Sequence, residues 1–463
     1  MRLFSPAALL ASICLSACGG GSSGSPDAPR PPSFVVFYSD DHGFADLGIQ
    51  GVRDDVRTPH IDQLALDGVL ATRAYVTAPQ CAPSRAGLMT GIHQNRFGLD
   101  DNAAGPMQPE QVTIAERLKA AGYITAMVGK WNLGVDQNNQ QNVPAGTDPA
   151  IFYAANQGFD EYFEGYLNDF IASHDASGKA LSHAPAGVHD ERYRIDLVTQ
   201  WALSFIRRHH DKPFFLYVPY YAPHVPLEAP DAYQQRFGDV GDPTRKTGLA
   251  MIAAIDDGVG KIRAELAKDK LTDKTLVLFI GDNGAPLGAN WDGSLNDPLV
   301  GEKGMLTDGG TRVPFVAAWP GKIPANQVFD SAISTLDVAT TLLAAAGVAK
   351  APELEGVDLL PYFNGGLATP PHARLFWRWG SQAAVLSEQW KLILLGSQQS
   401  LLYDASHGAP ETADLSADHA DAVQALQSEL SGWAAGLKKP GLPQGPLNAH
   451  DKALYQAHGI VPP

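Results

Sequence analysis

The sequence predicts an α/β fold, with a large domain whose mostly parallel central sheet is flanked by helices, followed by a small C-terminal antiparallel sheet with one helix. Three observations carry this expectation. Between residues 33 and about 350, short apolar β-rich runs alternate with helix-compatible stretches, as in sheets whose parallel strands are joined by helices. Several of those runs lead directly into a polar, glycine-containing motif, and such sheets gather ligands beyond the carboxyl ends of their strands. After about Ala351 the texture changes to short strands separated by turn signals. A chain of 463 residues, 44% hydrophobic and 18% charged, is long enough for one large domain and a smaller one.

Taken in order, Met1 to Cys18 reads as a secretion signal: Arg2, an apolar run from Ala7 to Leu15 too short to span a bilayer, then Leu15-Ser16-Ala17-Cys18. Residues 19–32 read as a Gly/Ser/Pro tether, residues 33–350 as the large domain, and residues 351–463 as a C-terminal subdomain and tail. Ser33 to Tyr38 reads as a buried strand ending at Asp40-Asp41-His42-Gly43. Thr58-Pro59-His60 opens a helix that Gly68 closes, and a second helix is expected from Pro109 to Ala121. Tyr123 to Val128 is a strand running into Gly129-Lys130-Trp131-Asn132-Leu133-Gly134. A helix from Arg192 to His210 precedes a strand from Pro213 to Pro219, which leads to Ala222-Pro223-His224. A helix from Gly248 to Lys268 precedes a strand from Thr275 to Ile280, which delivers Gly281-Asp282-Asn283-Gly284. In the C-terminal part, Leu375–Trp379, Ala384–Leu386, Trp390–Leu394 and Leu401–Asp404 read as strands, and Ala422 to Leu437 as an amphipathic helix.

Of the three cysteines, Cys14 and Cys18 lie in the signal segment, so Cys81 has no disulfide partner in the folded part. A lone thiol is a small buried hydrophobe, a stray reactive group or a site of deliberate chemistry. Its setting, Gln80-Cys81-Ala82-Pro83-Ser84-Arg85, favours the third: Cys81 stands just before a helix N-terminus, where unpaired N–H groups attract negative charge, and Arg85 adds a permanent cation. Asp40, Asp41, Asp282 and Asn283 supply four oxygen donors at the ends of two strands. Either pair alone is also compatible with a plain turn. Adjacent buried carboxylates repel unless a cation neutralises them, and an oxygen-only set suits Ca²⁺, then Mg²⁺ or Mn²⁺, over Zn²⁺. The net charge of −16 argues against a nucleic-acid partner, while a local cluster of Arg and Lys can still receive an anion.

Cys81-Ala82-Pro83-Ser84-Arg85 resembles the Cys-x-Pro-Ser-Arg signature of type I sulfatases, in the alkaline phosphatase superfamily, and the resemblance runs from Phe34 to about Pro440. It implies that a maturation enzyme converts Cys81 to Cα-formylglycine before folding, and that the converted residue, Asp40, Asp41, Asp282 and Asn283 hold the metal. By the same resemblance Lys130 contacts formylglycine and sulfate, Lys303 in Gly301-Glu302-Lys303-Gly304 binds sulfate, and His224 faces the leaving-group oxygen. Arg85, Lys130 and Lys303 then neutralise sulfate oxygens, and His224 protonates the departing oxygen. Asn132 stands where the family has a histidine. His42 is expected to support the site and Arg312 to brace a loop. The implied activity is hydrolysis of sulfate esters, on a sulfated carbohydrate or aryl sulfate. The alternatives are a phosphoester or phosphonate monoester hydrolase, or a sulfated-glycan-binding protein without turnover. Trp291, Trp377 and Trp379 are candidates for stacking on sugars or for the core. Leu15-Ser16-Ala17-Cys18 resembles a bacterial lipobox, implying acylation of Cys18 and an exported protein anchored to the outer membrane, on its periplasmic or outer side.

Overall fold

The run Ser33-Phe34-Val35-Val36-Phe37-Tyr38-Ser39-Asp40 forms β1, every residue of which is buried. In the computed structural model, which describes residues 30–135, 143 and 145–460, β1 lies at the middle of a ten-stranded sheet. The signal segment with Cys18 and most of the tether lie outside the described residues. The remaining strands of that sheet are β2 (Val69–Ala71), β4 (Ile124–Gly129), β5 (Glu161–Tyr166), β6 (Asp169–Ala172), β7 (Ala186–His189), β8 (Phe214–Pro223), β9 (Thr275–Gly281), β11 (Phe315–Ala318) and β12 (Gln327–Phe329). Two short strands, β10 (Arg312–Val313) and β13 (Ile333–Ser334), flank β3 (Ala74–Tyr75) in a three-stranded sheet, the first antiparallel and the second parallel to it. The large sheet runs β12-β2-β11-β9-β1-β8-β4-β5-β6-β7. Its five central strands, β9, β1, β8, β4 and β5, are parallel, and the antiparallel pairings lie toward the two sides.

Both faces of the central strands are covered, which is why these strands are apolar without alternation. Val35 and Phe37 of β1 join a core with the helices Pro59–Leu66, Arg194–His209 and Pro243–Lys268. Phe34, Val36 and Tyr38 point the other way, into a core with the helices Cys81–Thr90, Ile114–Ala120 and Leu336–Ala345. The parallel pairing aligns the strand ends, so Asp40, Lys130, His224 and Asp282 emerge on one edge.

The C-terminal sheet is antiparallel, in the order β14 (Leu375–Trp379), β15 (Gln382–Leu386), β16 (Trp390–Leu395) and β17 (Gln399–Asp404). One face packs on Tyr75, Met305 and Leu306, the other on the helix Ala420–Ala434. Trp377 and Trp379 are buried in the first of these layers, and Trp377 Nε1 donates to Val76 O at 2.6 Å. Both are therefore core residues and offer no platform to a sugar. Trp291 is half-buried, with Nε1 donating to Ser294 O.

Several boundaries differ from expectation for identifiable reasons. The helix expected from Pro109 begins at Ile114, because Thr113 and Glu116 form a capping box: Glu116 N donates to Thr113 Oγ1 and Thr113 N to Glu116 Oε2. The helix expected from Gly248 begins five residues earlier, at Pro243, where Asp242 Oδ1 accepts from Thr244 N and Arg245 N. The antiparallel extension β5-β6-β7 and the last helix, Ala449–Ala457, have no counterpart in the sequence-based expectation.

Candidate active site

Cys81 is the first residue of the helix Cys81–Thr90, entered from an extended Gln80, so it belongs to the helix rather than preceding it. All ten residues of that helix are buried, and it stops at Gly91, whose φ of 67° lets its N–H reach back to Gly87 O. A side chain at Gly91 would also strike Ala339, 2.6 Å from the position of a Cβ. This buried helix sets Cys81 against the end of β1. Sγ lies 3.5 Å from Asp40 Oδ1 and 3.8 Å from Asp41 Oδ1.

The acidic residues converge with it. One ligating atom from each of Asp40, Asp41, Cys81 and Asp282 falls within 4.8 Å of the others, and all four residues are buried. Asp41 takes a left-handed conformation, φ 60°, uncommon for a residue with a side chain. Its N–H donates to Asp282 Oδ1 at 2.9 Å, locking the end of β1 to the end of β9. Asn283 Nδ2 donates to Asp41 Oδ1 at 2.6 Å and to Gly284 O, while its Oδ1 is buried with no hydrogen-bond partner. An acceptor oxygen left unsatisfied beside three carboxylates is what a hard cation would engage. Burial, together with Asp40 and Asp41, pushes the Asp282 carboxyl up to about 7 against the pull of Arg85. That also marks a cluster able to take more positive charge.

Three cations and one imidazole surround the acids. Arg85 is fully buried: Nε and Nη2 donate to Asp282 Oδ2 at 3.1 and 2.7 Å, Nη1 donates to Lys130 O at 2.9 Å, and Nη2 is 3.3 Å from Asp40 Oδ1. Lys130 Nζ donates to both oxygens of Asp40, at 2.9 and 2.7 Å, and Lys303 Nζ to Asp41 Oδ2 at 2.7 Å. Burial works to raise the Asp40 carboxyl, but Lys130, His224, Arg85 and Lys303 together hold it well below its usual range. Lys130 reaches its place because Gly129 turns at φ 134°, where a Cβ would stand 1.9 Å from Pro219 O. Asn132 follows in a left-handed conformation, φ 57°, and is half-buried.

His224 stands directly after β8. Its N–H donates to Asp40 O, its Nδ1 lies 2.7 Å from Val225 O, and its Nε2 is 3.8 Å from Asp41 Oδ2. A carbonyl at Nδ1 demands a proton there, which leaves Nε2 as the nitrogen that gains and loses one beside the acids. Burial pulls the imidazole pKa down, and Asp40 opposes this.

The structure thus brings together Asp40, Asp41, Cys81, Arg85, Lys130, His224, Asp282, Asn283 and Lys303, with Asn132 two residues from Lys130. His42 and Arg312 stand back from them. His42 is buried, with Nε2 2.9 Å from Asp46 O, and Arg312 Nε donates to Thr72 O. Sequence reasoning missed Asp292, a buried carboxyl with one unpartnered oxygen, pushed well up by burial and then by the charge of Asp41. No strand precedes Asp292, so the strand-end rule that found the other acids had nothing to act on. Arg194, buried behind the loop that carries His224, was also missed.

The comparisons with known proteins agree with this geometry. A family model described as "Sulfatase" matches residues 32–348, and one described as "N-sulphoglucosamine sulphohydrolase, C-terminal" matches residues 301–434. The N-acetylgalactosamine-6-sulfatase of Canis lupus familiaris is 34% identical over 82% of this chain and 74% of its own length. The Homo sapiens protein of the same name is 33% identical over 78% and 74%. Among solved structures, Ps i-CgsB in complex with k-i-k-neocarrahexaose superposes with a TM-score of 0.76 at 27% identity, covering 93% of this chain and 98% of that one. A phosphonate monoester hydrolase from Silicibacter pomeroyi shares the fold, with a TM-score of 0.67 at 18% identity. With a family model spanning most of the chain and relatives more than 30% identical over most of their length, this chain belongs to the sulfatase family, whose members hydrolyse sulfate esters.

Proposed function

We propose that the chain removes sulfate from a sulfated carbohydrate, using a formylglycine formed from Cys81 and a divalent cation, Ca²⁺ before Mg²⁺ or Mn²⁺. The observation that carries this reading is the buried cluster of Asp40, Asp41, Asp282, Asn283 and Cys81, ringed by Arg85, Lys130, Lys303 and His224. Asp40, Asp41, Asp282 and the free Oδ1 of Asn283 would hold the cation, which when bound makes an oxygen nucleophile at position 81 available near neutral pH. The carbohydrate is supported by the relatives, one named N-acetylgalactosamine-6-sulfatase and one solved in complex with k-i-k-neocarrahexaose.

Charge arithmetic supports the assignment. Three carboxylates, Asp40, Asp41 and Asp282, face three cations, Arg85, Lys130 and Lys303, so the protein part is neutral when all are ionised. A divalent cation leaves room for two negative charges, one on a sulfate ester and one on the attacking oxygen. Lys130 and Lys303, each partly exposed, are placed to neutralise sulfate oxygens. Arg85 takes a different part from the one expected of it: with its side chain 0% exposed and its nitrogens on Asp282, Asp40 and Lys130 O, it orients the ligand carboxylates and the Lys130 backbone instead of touching sulfate.

His224 protonates the departing oxygen through Nε2. In His224→Ala, kcat/KM should fall by about 10²- to 10⁴-fold on a sugar sulfate, whose alkoxide leaves poorly, and by far less on an activated aryl sulfate. Equal losses on both substrates would reduce His224 to a binding group.

Turnover measured on aryl sulfate, aryl phosphate and a phosphonate monoester tests the reaction class, with preference for the sulfate expected. A preference for either phosphorus ester would favour the hydrolase whose fold this chain shares. A second reading, a glycan-binding protein without turnover, is favoured by Asn132 alone, since an amide cannot take a proton as imidazole does. Binding without sulfate release, from protein in which Cys81 is converted, would establish that reading.

A further inference from the structure

The loop that carries His224 is held from behind by a residue that no motif singles out. Arg194 is the first residue of the helix Arg194–His209, and its side chain is 1% exposed. Its Nη2 donates to His224 O at 3.2 Å and to Pro226 O at 2.8 Å. Its Nε lies 3.7 Å from Glu228 Oε1, and its guanidinium carbon is 5.8 Å from the centroid of the Tyr221 ring. One side chain therefore touches four residues of the segment from Tyr221 to Glu228. Of three consecutive carbonyls, the first and third accept from Arg194, and the middle one, Val225 O, meets Nδ1 of His224.

Arg194 is poorly placed as a stabilising group. A cation in the first turn of a helix opposes the helix dipole. Its Nε and Nη1 are buried without a hydrogen-bond partner, a cost that a neutral side chain of the same length would not incur. Its nearest carboxylate, Glu228, has a side chain 52% exposed. What the guanidinium does achieve is geometric, because a planar donor group reaching two carbonyls two residues apart fixes the peptide between them.

We propose that Arg194 is a positioning residue for His224: by pinning the carbonyls of His224 and Pro226 it orients Val225 O, which in turn fixes the imidazole with Nε2 toward the leaving-group oxygen. The proposal rests on the reading of His224 as the proton donor. A small displacement of a catalytic group can cost about 10²-fold, so the expected loss is large although Arg194 touches no substrate.

The test compares Arg194→Met, Arg194→Lys, His224→Ala and the Arg194→Met/His224→Ala double variant on a sugar sulfate and an activated aryl sulfate, with melting temperatures recorded for each. Arg194→Met should lose at least about tenfold more kcat/KM on the sugar sulfate than on the aryl sulfate. Arg194→Lys should recover part of that loss, and the double variant should be no worse on the sugar sulfate than His224→Ala alone. Equal losses of Arg194→Met on the two substrates, or losses that multiply in the double variant, would overturn the proposal. If Arg194→Met does not fold, Arg194→Lys combined with His224→Ala carries the same comparison. If His224→Ala itself shows no leaving-group preference, the proton-donor reading fails, and the coupling between positions 194 and 224 still decides whether Arg194 positions His224.

Discussion

Asp282→Asn is expected to cost at least about a thousandfold in kcat/KM, some 4 kcal/mol of transition-state stabilisation, and to remove the bound divalent cation with it. Asp282 joins the two halves of the site: Oδ1 accepts from Asp41 N, and Oδ2 accepts both Nε and Nη2 of Arg85. The amide keeps the shape and one acceptor for Asp41 N but loses the charge. It leaves Arg85, fully buried, with a single carboxylate, Asp40, at 3.3 Å. Breaking a buried pair by removing one partner costs about 3–5 kcal/mol, so activity alone would not separate lost metal from lost structure. Thermal melting with and without added Ca²⁺ does. Wild-type protein should melt higher with the cation, by roughly 2.7 kcal/mol of added stability at a hundredfold excess over Kd, whereas Asp282→Asn should not respond. A variant that still gains stability from Ca²⁺ and retains turnover would remove Asp282 from the metal site.

The second large effect concerns position 81 itself. Protein made without the maturation enzyme, and so carrying the thiol, should be slower by about 10⁴-fold or more. Burial pushes the Cys81 thiol far up, and Lys130 and Lys303, which work to bring it down, do not offset this. A thiol held protonated is a poor nucleophile. Across preparations, activity should scale with the converted fraction seen by mass spectrometry of the peptide spanning Cys81. Full activity from protein with an intact thiol throughout would remove formylglycine from the mechanism.

The proposed metal ligands were legible in the sequence because each stands at the end of a strand that betrays itself as an unbroken apolar run. Asp40 ends β1 and Asp41 follows it, Asp282 and Asn283 follow β9, and parallel pairing does the rest. Lys130 and His224 follow β4 and β8 by the same rule. Arg194 and Asp292 were not legible. Arg194 opens a helix whose pattern would be the same with any residue there, and Asp292 lies in a loop with no strand before it. For Arg85 the sequence shows a cation's charge but not the acids that engage it, Asp282 and Asp40. Helix starts slipped where a capping residue outranked the apolar pattern, as Thr113 and Asp242 show.

The locking of Asp41 to Asp282 also sets a clock. The two residues are 241 positions apart, and Arg85 must wait for an acid 197 positions further along the chain. Until β9 has been made and has paired with β1, Asp282 cannot engage Asp41 or Arg85. At about 5–20 residues per second of synthesis, the stretch from Cys81 to Asp282 takes on the order of 10–40 s to make, and in that interval the acid that Arg85 pairs with does not yet exist. In the folded protein the thiol is buried against the end of β1. If Cys81 is converted as proposed, a maturation enzyme would compete with folding in time, and a change that hastens the pairing of β1 with β9 would lower the yield of working enzyme without altering a single atom of its active site.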